Sequence, residues 1–351
     1  MKANPFSVSF GIEPSNYISR FSLTDEVVGS FTAENTTDHV FMITGVRGSG
    51  KTVLLTVLSE HFSVMDDWIV VNVTPERDIL DKLVAKLYGH KALKKLFINV
   101  GIKLSLIGQG VTLSNKEPVY DAETVLEEML KELKKHGKKV LVALDEAVNN
   151  QYVKVFSASF QLLIRQKLPL FLLMTGLYEN INNLQNEKTL TFLYRAPKIM
   201  LEPLSIGAVA RSYHEILGSD DEKSMEMARL TKGYPFAYQL LGYLYWKRFV
   251  EGKEKEDIAQ IMPEYDDRLE DYVYEKIWSE LSPKEQDIMS LLKDDEKVKV
   301  SKIREKLELT SPAMSVYRDR LNKKGLIDIS RYGYISLKLP RFGAIMRAWM
   351  E

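Results

Sequence analysis

The 351-residue sequence contains no cysteine. That excludes disulfides, thiolate zinc sites and a cysteine nucleophile. Histidine is scarce as well: His39, His61, His90, His136 and His214 are scattered, have no metal-ligand spacing, and read as ordinary surface or core residues. No stretch approaches the ~20 uninterrupted apolar residues of a membrane helix. Met1 to Arg20 lacks the basic-then-apolar layout of a signal peptide. The expectation is a cytoplasmic protein with no membrane partner. Net charge is also lacking, with 48 basic and 48 acidic residues. Its distribution is uneven, since 205–281 holds 10 basic and 16 acidic residues whereas 311–347 holds 8 and 2. An acidic middle and a basic C-terminal end point to separate domains with separate partners.

What the chain does contain is globular, with 45% hydrophobic and 27% charged residues over a length that implies two or three domains. The first two-thirds alternate strand-like and helix-like runs. Strands are expected at Val40 to Gly45, Trp68 to Val73, Val140 to Leu144, Leu170 to Thr175 and Lys198 to Leu201. Helical text fills the intervals, notably Lys51 to Phe62, Asp78 to Tyr88, Asp121 to His136 and Val148 to Gln166. Strands separated by helices give an α/β domain with a parallel sheet covered on both faces. The segment 97–112 breaks this rhythm and reads as a β-hairpin insertion turning at Gly108-Gln109-Gly110. It serves either as a contact surface for DNA or a neighbouring subunit, or as a hairpin packed on its own domain. From Ser205 to Ser279 the text is helical throughout. The expected division is therefore a core over 1–204, a helical lid over 205–281 and a third domain over 282–351.

Gly45-Val46-Arg47-Gly48-Ser49-Gly50-Lys51-Thr52 fits the P-loop pattern in full. Its glycines let backbone N–H groups converge on phosphates, and the helix after Gly50 adds its positive dipole end. Gly45, Gly48, Ser49, Gly50, Lys51 and Thr52 are the candidate ATP-binding residues. Lys51 would reach the β- and γ-phosphates and Thr52 would place its hydroxyl on magnesium. Val140 to Leu144 ends in Asp145-Glu146. Set beside the P-loop strand, this strand places Asp145 in the outer coordination sphere of magnesium, with Glu146 positioned to activate a water against the γ-phosphate. A glutamate after the aspartate favours hydrolysis, so a magnesium-dependent ATPase is expected, slow or partner-stimulated.

In this order the motifs resemble the additional-strand P-loop ATPases of the AAA+ and STAND (signal-transduction ATPase) kinds. In detail the chain is similar to archaeal- and bacterial-type ATPases related to origin-recognition proteins, over nearly its whole length. The resemblance implies an additional-strand P-loop NTPase sheet followed by a helical lid. It also implies a polar sensor-one residue, a place that Thr175 fills, although asparagine is commoner in AAA+ members. Arg195, in Phe192-Leu193-Tyr194-Arg195, stands where related proteins carry an arginine that sometimes acts as a finger on a neighbour's nucleotide. Self-association through Arg195 and a surface salt bridge are both open. Lys232-Gly233-Tyr234-Pro235 resembles the Gly-x-Pro signature of STAND ATPases, whose proline, here Pro235, lies near the nucleotide. A helix stop and restart would use the same residues. Standard AAA+ proteins usually keep an arginine in this lid instead. Phe10-Gly11-Ile12-Glu13-Pro14 is expected to pack near the base of the core.

The third domain reads as a winged helix-turn-helix. Ser282 and Pro283 mark a helix start, and segments at Pro283 to Leu292, Val300 to Leu307 and Ser311 to Lys324 precede a two-stranded wing over Leu326 to Leu337. In the third segment Met314, Tyr317 and Leu321 share the face expected in the core. Ser311, Ser315, Arg318 and Asn322 share another, free for a groove of double-stranded DNA. Arg320, Lys323 and Lys324 flank that face and Arg331 lies near the wing tip, suited to phosphate contacts, with Arg318 the candidate for a base edge. Protein contacts are the alternative use of the same domain. Two functions follow: an ATP-driven DNA-binding protein, or a STAND-type signalling or defence switch that acts through a protein partner. A metabolic kinase would leave the third domain unexplained.

Overall fold

The structure, a computed structural model, describes residues 3–9, 14, 16–99, 121–293 and 297–350. The chain separates into two compact units: Arg20–Thr44 with Lys51–Met200, and Met1–Ser19 with Gly45–Gly50 and Leu201–Glu351.

The first unit is built on five strands, β1 (Val40–Thr44), β2 (Trp68–Val73), β3 (Lys139–Leu144), β4 (Leu170–Gly176) and β5 (Lys198–Met200). All pair in parallel, in the order β2-β3-β4-β1-β5. β4 thus lies between β1 and β3, which corrects the expectation that the Asp145 strand flanks the P-loop strand directly. Alternate side chains go to opposite faces. Val40, Met42, Val140, Val142, Leu170 and Leu172 belong to one apolar cluster, which Leu83, Leu130 and Phe160 of the covering helices complete. On the other face Phe41, Phe62, Trp68 and Phe171 form an aromatic cluster around Phe31, whose ring lies 5.0 Å from Phe171 and 5.4 Å from Phe41. Phe31 comes from the helix Phe21–Thr32, which the periodicity did not reveal. Truncating a buried ring of this kind costs about 3–5 kcal/mol.

Helix ends in this unit follow their caps. Asp78 accepts from Leu80 and Asp81 N–H, Asp121 from Thr124, and Asn150 from Val153. The helix Lys91–Asn99 takes up the first residues of the expected hairpin, whose remainder, 100–112, lies outside the described residues, as do 10–13.

The second unit is helical from Ile206–Leu217 through Glu275–Ser279. It continues as helices Pro283–Ser290, Val300–Lys306, Ser311–Lys323 and Phe342–Met350 with strands β6 (Val298–Lys299), β7 (Ile327–Asp328) and β8 (Tyr334–Leu337). These strands pair antiparallel in the order β6-β8-β7. Where the sequence separates a lid from a third domain, one apolar cluster runs through both and includes Tyr234, Leu241 and Tyr274 together with Leu321, Ile335 and Phe342. Polar bonds cross the same line. Tyr274 Oη donates to the Pro340 carbonyl at 2.7 Å, Arg341 holds both Asp266 oxygens at 2.7 and 2.5 Å, and Trp349 Nε1 donates to Glu270 at 2.5 Å. The N-terminal segment joins this unit through Phe6, which packs against Tyr213 and Tyr238 and leaves no room for a side chain at Gly242. Among the described residues no helix is long and apolar enough to cross a membrane.

Candidate functional site

In the sheet unit the register sets Leu144 opposite Met174, so Asp145 and Thr175 follow side by side at the carboxyl ends of β3 and β4. Open α/β sheets bind ligands at that end of their strands. The helix Lys51–Ser63 starts there too, and Thr52 Oγ1 donates to Asp145 Oδ2 at 2.9 Å. Thr175, fully buried, donates its hydroxyl to Asp145 Oδ1. The Glu146 N–H lies 3.0 Å from Asp145 Oδ1 and 3.2 Å from Thr175 Oγ1. Ala147 N–H reaches the Thr175 carbonyl at 2.7 Å. These bonds hold Glu146 in the left-handed region, at φ 53°, with its side chain in solvent. That conformation costs a non-glycine residue roughly 1–2 kcal/mol, so it persists because the neighbours impose it. Thr175 has a single donor, committed to Asp145.

The loop Gly45–Gly50 belongs to the second unit. Gly48 and Gly50 take φ values of 71° and 87°, which glycine adopts without the Cβ penalty. A Cβ on Gly50 would stand in open space, whereas one on Gly48 would strike the Tyr234 hydroxyl and come within 2.8 Å of Phe236 Cβ. Ser49 is buried, and its Oγ has no partner among the described residues. An orphaned buried hydroxyl and a left-handed glycine open to solvent fit an anion held by the loop. The Thr52 and Asp145 oxygens of the sheet unit suit a hard divalent cation such as magnesium, which takes one or two protein oxygens and completes its shell with phosphate and water. Among the described residues no group of three or more acidic or histidine side chains is placed to hold a metal by itself.

Arg195 ends the short helix Thr191–Arg195 and is exposed. Pro235 is the first residue of the helix Pro235–Tyr245. The preceding Gly233 sits at φ 73° against the Leu204 backbone, and its carbonyl accepts from Leu204 N–H at 2.8 Å.

On the helix Ser311–Lys323, capped by Thr310, Met314 and Leu321 are buried and Tyr317 packs against the same cluster. Ser311 and Ser315 are exposed, while Arg318, Asn322 and Lys323 are half-buried. A groove of about 360 Å³ is lined by Val300, Arg304, Ser311, Met314, Ser315 and Arg318. Arg304 was not legible as a residue of this groove, because it lies on the preceding helix and only the angle between the helices brings it here. Lys323 pairs with Asp319 at 2.7 Å, and the Arg331 guanidinium lies 4.4 Å from the Tyr334 ring centre, next to the fully exposed Tyr332. Lys324 does not flank the groove as expected. Its ammonium is 3.0 Å from Glu285, a nearly buried carboxylate that closes a capping box with Ser282. Burial opposes the Glu285 charge, but the Ser282 N–H and the Lys324 ammonium hold its carboxyl below the usual range.

Residues 30–186 match the family model described as an ATPase domain predominantly from Archaea, and residues 271–346 match a domain of unknown function (DUF8462). The Aeropyrum pernix ORC2 protein, in its ADPNP–ADP complexes, superposes with a TM-score of 0.61 at 14% identity, covering 98% of each chain. The chain shares the fold of that protein. Its ADP form gives 0.52 at 14% identity, covering 98% of this chain and 97% of that one. Cdc6p from Pyrobaculum aerophilum gives 0.50 at 13% identity, covering 97% and 96%. No curated protein sequence matches the chain.

Proposed function

We propose that this chain binds and hydrolyses ATP and that its C-terminal region, a winged helix, grips double-stranded DNA with an affinity set by the bound nucleotide. The hydrogen-bond chain Thr52–Asp145–Thr175–Glu146 carries the reading. It ties the residue after the P-loop lysine directly to Asp145, and Asp145 through the buried Thr175 hydroxyl to the Glu146 backbone N–H, which leaves the Glu146 carboxylate in solvent. Loop N–H groups and Lys51 would bind the phosphates, and Thr52 with Asp145 would hold magnesium, which supplies charge neutralisation on the phosphates. Thr175 fixes Asp145, and the exposed Glu146 carboxylate is free to take a proton from water. The A. pernix ORC2 protein takes ADPNP and ADP, which favours the same chemistry here.

The DNA reading rests on the order helix, strand, helix, helix, strand, strand over 283–337 and on the groove that Arg304 and Arg318 line with two serines. Guanidinium groups beside small hydroxyls suit phosphate and base-edge contacts. A second reading, a STAND-type switch with a protein partner, draws on the apolar cluster shared by the lid and the C-terminal helices. Arg195 on a neighbouring copy's nucleotide is part of the proposal only through its exposure. The test is phosphate release by the purified protein, with a fluorescent ATP analogue reporting binding. Saturable binding with measurable release supports the reading, and absence of binding at millimolar nucleotide removes it.

A further inference from the structure

Within the second unit the glycine-rich loop is held by its carbonyl side. Tyr234 Oη donates to the Arg47 carbonyl at 2.5 Å, and the Phe236 N–H donates to the Gly48 carbonyl at 3.2 Å. The Arg47 guanidinium grips Glu280 with Nη2 at 2.5 Å and Nε at 3.3 Å. A trans peptide puts its N–H opposite its C=O. Anchoring the Arg47 carbonyl on Tyr234 therefore aims the Gly48 N–H away from the lid, while Ser49 N–H closes the turn onto Val46 at 3.2 Å. Tyr234 is buried, and that burial raises its hydroxyl far above the ordinary tyrosine range, so it stays a donor at every physiological pH. Gly48 has no room for a side chain because Tyr234 and Phe236 occupy that space.

The partners of the loop are not arbitrary parts of the unit. Tyr234 stacks on Tyr274 with ring centres 6.5 Å apart, and Tyr274 bonds the Pro340 carbonyl. Glu280 caps the helix Glu275–Ser279 and stands two residues before Ser282, which caps the first helix of the C-terminal region.

We infer that Tyr234 and Glu280 are positioning residues that shape the phosphate loop from the lid and pass its occupancy to the C-terminal helices through the Arg47–Glu280 pair. This rests on the nucleotide reading above. A phosphate drawing on the loop N–H groups shifts the same peptide planes whose carbonyls the lid holds, so the two contacts are energetically linked.

The experiment is a titration with a fluorescent ATP analogue, paired with duplex-DNA affinity in ATP and in ADP, on four proteins besides wild type. Tyr234→Phe is expected to weaken nucleotide binding about fivefold, the net value of one neutral hydrogen bond. Glu280→Arg and Arg47→Glu are each expected to weaken it about tenfold by setting like charges together, and to bring the ATP-to-ADP ratio of DNA affinities toward one. The double reversal Arg47→Glu with Glu280→Arg is expected to recover both readouts to within about threefold of wild type. A merely structural loss would lower DNA affinity in ATP and in ADP alike and leave their ratio unmoved. Unchanged nucleotide binding in all variants, or a double reversal as impaired as the worse single, overturns the inference while leaving the nucleotide reading intact. Absence of binding by wild type overturns both. Tyr234→Phe keeps the ring in its stack, so it provides a folded test if a charge reversal unfolds the chain.

Discussion

The carboxyl end of β3 and the exposed face of the helix Ser311–Lys323 solve opposite problems. At the first, Asp145 accepts from both Thr52 and Thr175, and the Glu146 backbone is pinned into a left-handed conformation by two further bonds. At the second, Ser311 and Ser315 are exposed, and a groove is framed by two arginines from different helices. Chemistry on a phosphate demands charges fixed before the substrate arrives. A surface that grips a polyanion needs only cations and small donors within reach, and gains by letting them adapt. On the proposed function, the first region should tolerate almost no change of residue type, and the second many as long as charge stays in place.

That contrast orders the expected effects of substitution. Glu146→Gln, measured in single-turnover hydrolysis, should slow the chemical step by about 10²–10⁴-fold while leaving ATP affinity within about threefold. Normal turnover would remove the base assignment. Lys51→Ala should weaken ATP binding by on the order of 100-fold, the loss of charge-assisted bonds to phosphate, read in the same analogue titration. Arg318→Ala should weaken duplex binding about tenfold with ATP affinity untouched, and an unchanged DNA affinity would displace the recognition helix from its proposed role. Tyr274→Phe removes the bond to the Pro340 carbonyl, and should cost about 1 kcal/mol in denaturant unfolding. A larger loss, with early melting of the C-terminal helices, would mean that this one bond carries much of the union between the lid and those helices.

The same contrast explains what could be read from residue order. The P-loop and the Asp145-Glu146 pair were legible because phosphate geometry requires particular residues at fixed spacing, and the five strands around them are near-continuous apolar runs. Helix starts at Asp78, Asp121 and Ser282 were legible, and each of those residues caps its helix, whereas the helix expected from Val148 begins only at Gln151, where Asn150 caps it. The insertion of β4 beside β1 was not, since strand order is a matter of nonlocal pairing. Arg304 was hidden for the same reason. Lys324 was misplaced because a basic residue looks alike on a solvated face and opposite a buried Glu285. The lid and the C-terminal helices read as separate domains because Ser282-Pro283 is a strong local boundary, whereas the cluster that joins Tyr274 to Phe342 is made of residues distant in sequence. Tyr234 drew attention only as the middle of a Gly-x-Pro pattern, and its bond to the Arg47 carbonyl depends on tertiary placement.

On the proposed function, nucleotide state sets DNA affinity. Its most direct test is duplex-DNA binding by the wild-type protein with ATP, with ADP and without nucleotide, each at two salt concentrations. Affinity that differs between ATP and ADP and falls steeply with salt is the predicted result. Equal affinities in all three states, or no binding in any, would contradict it and turn the C-terminal region into a surface for a protein partner.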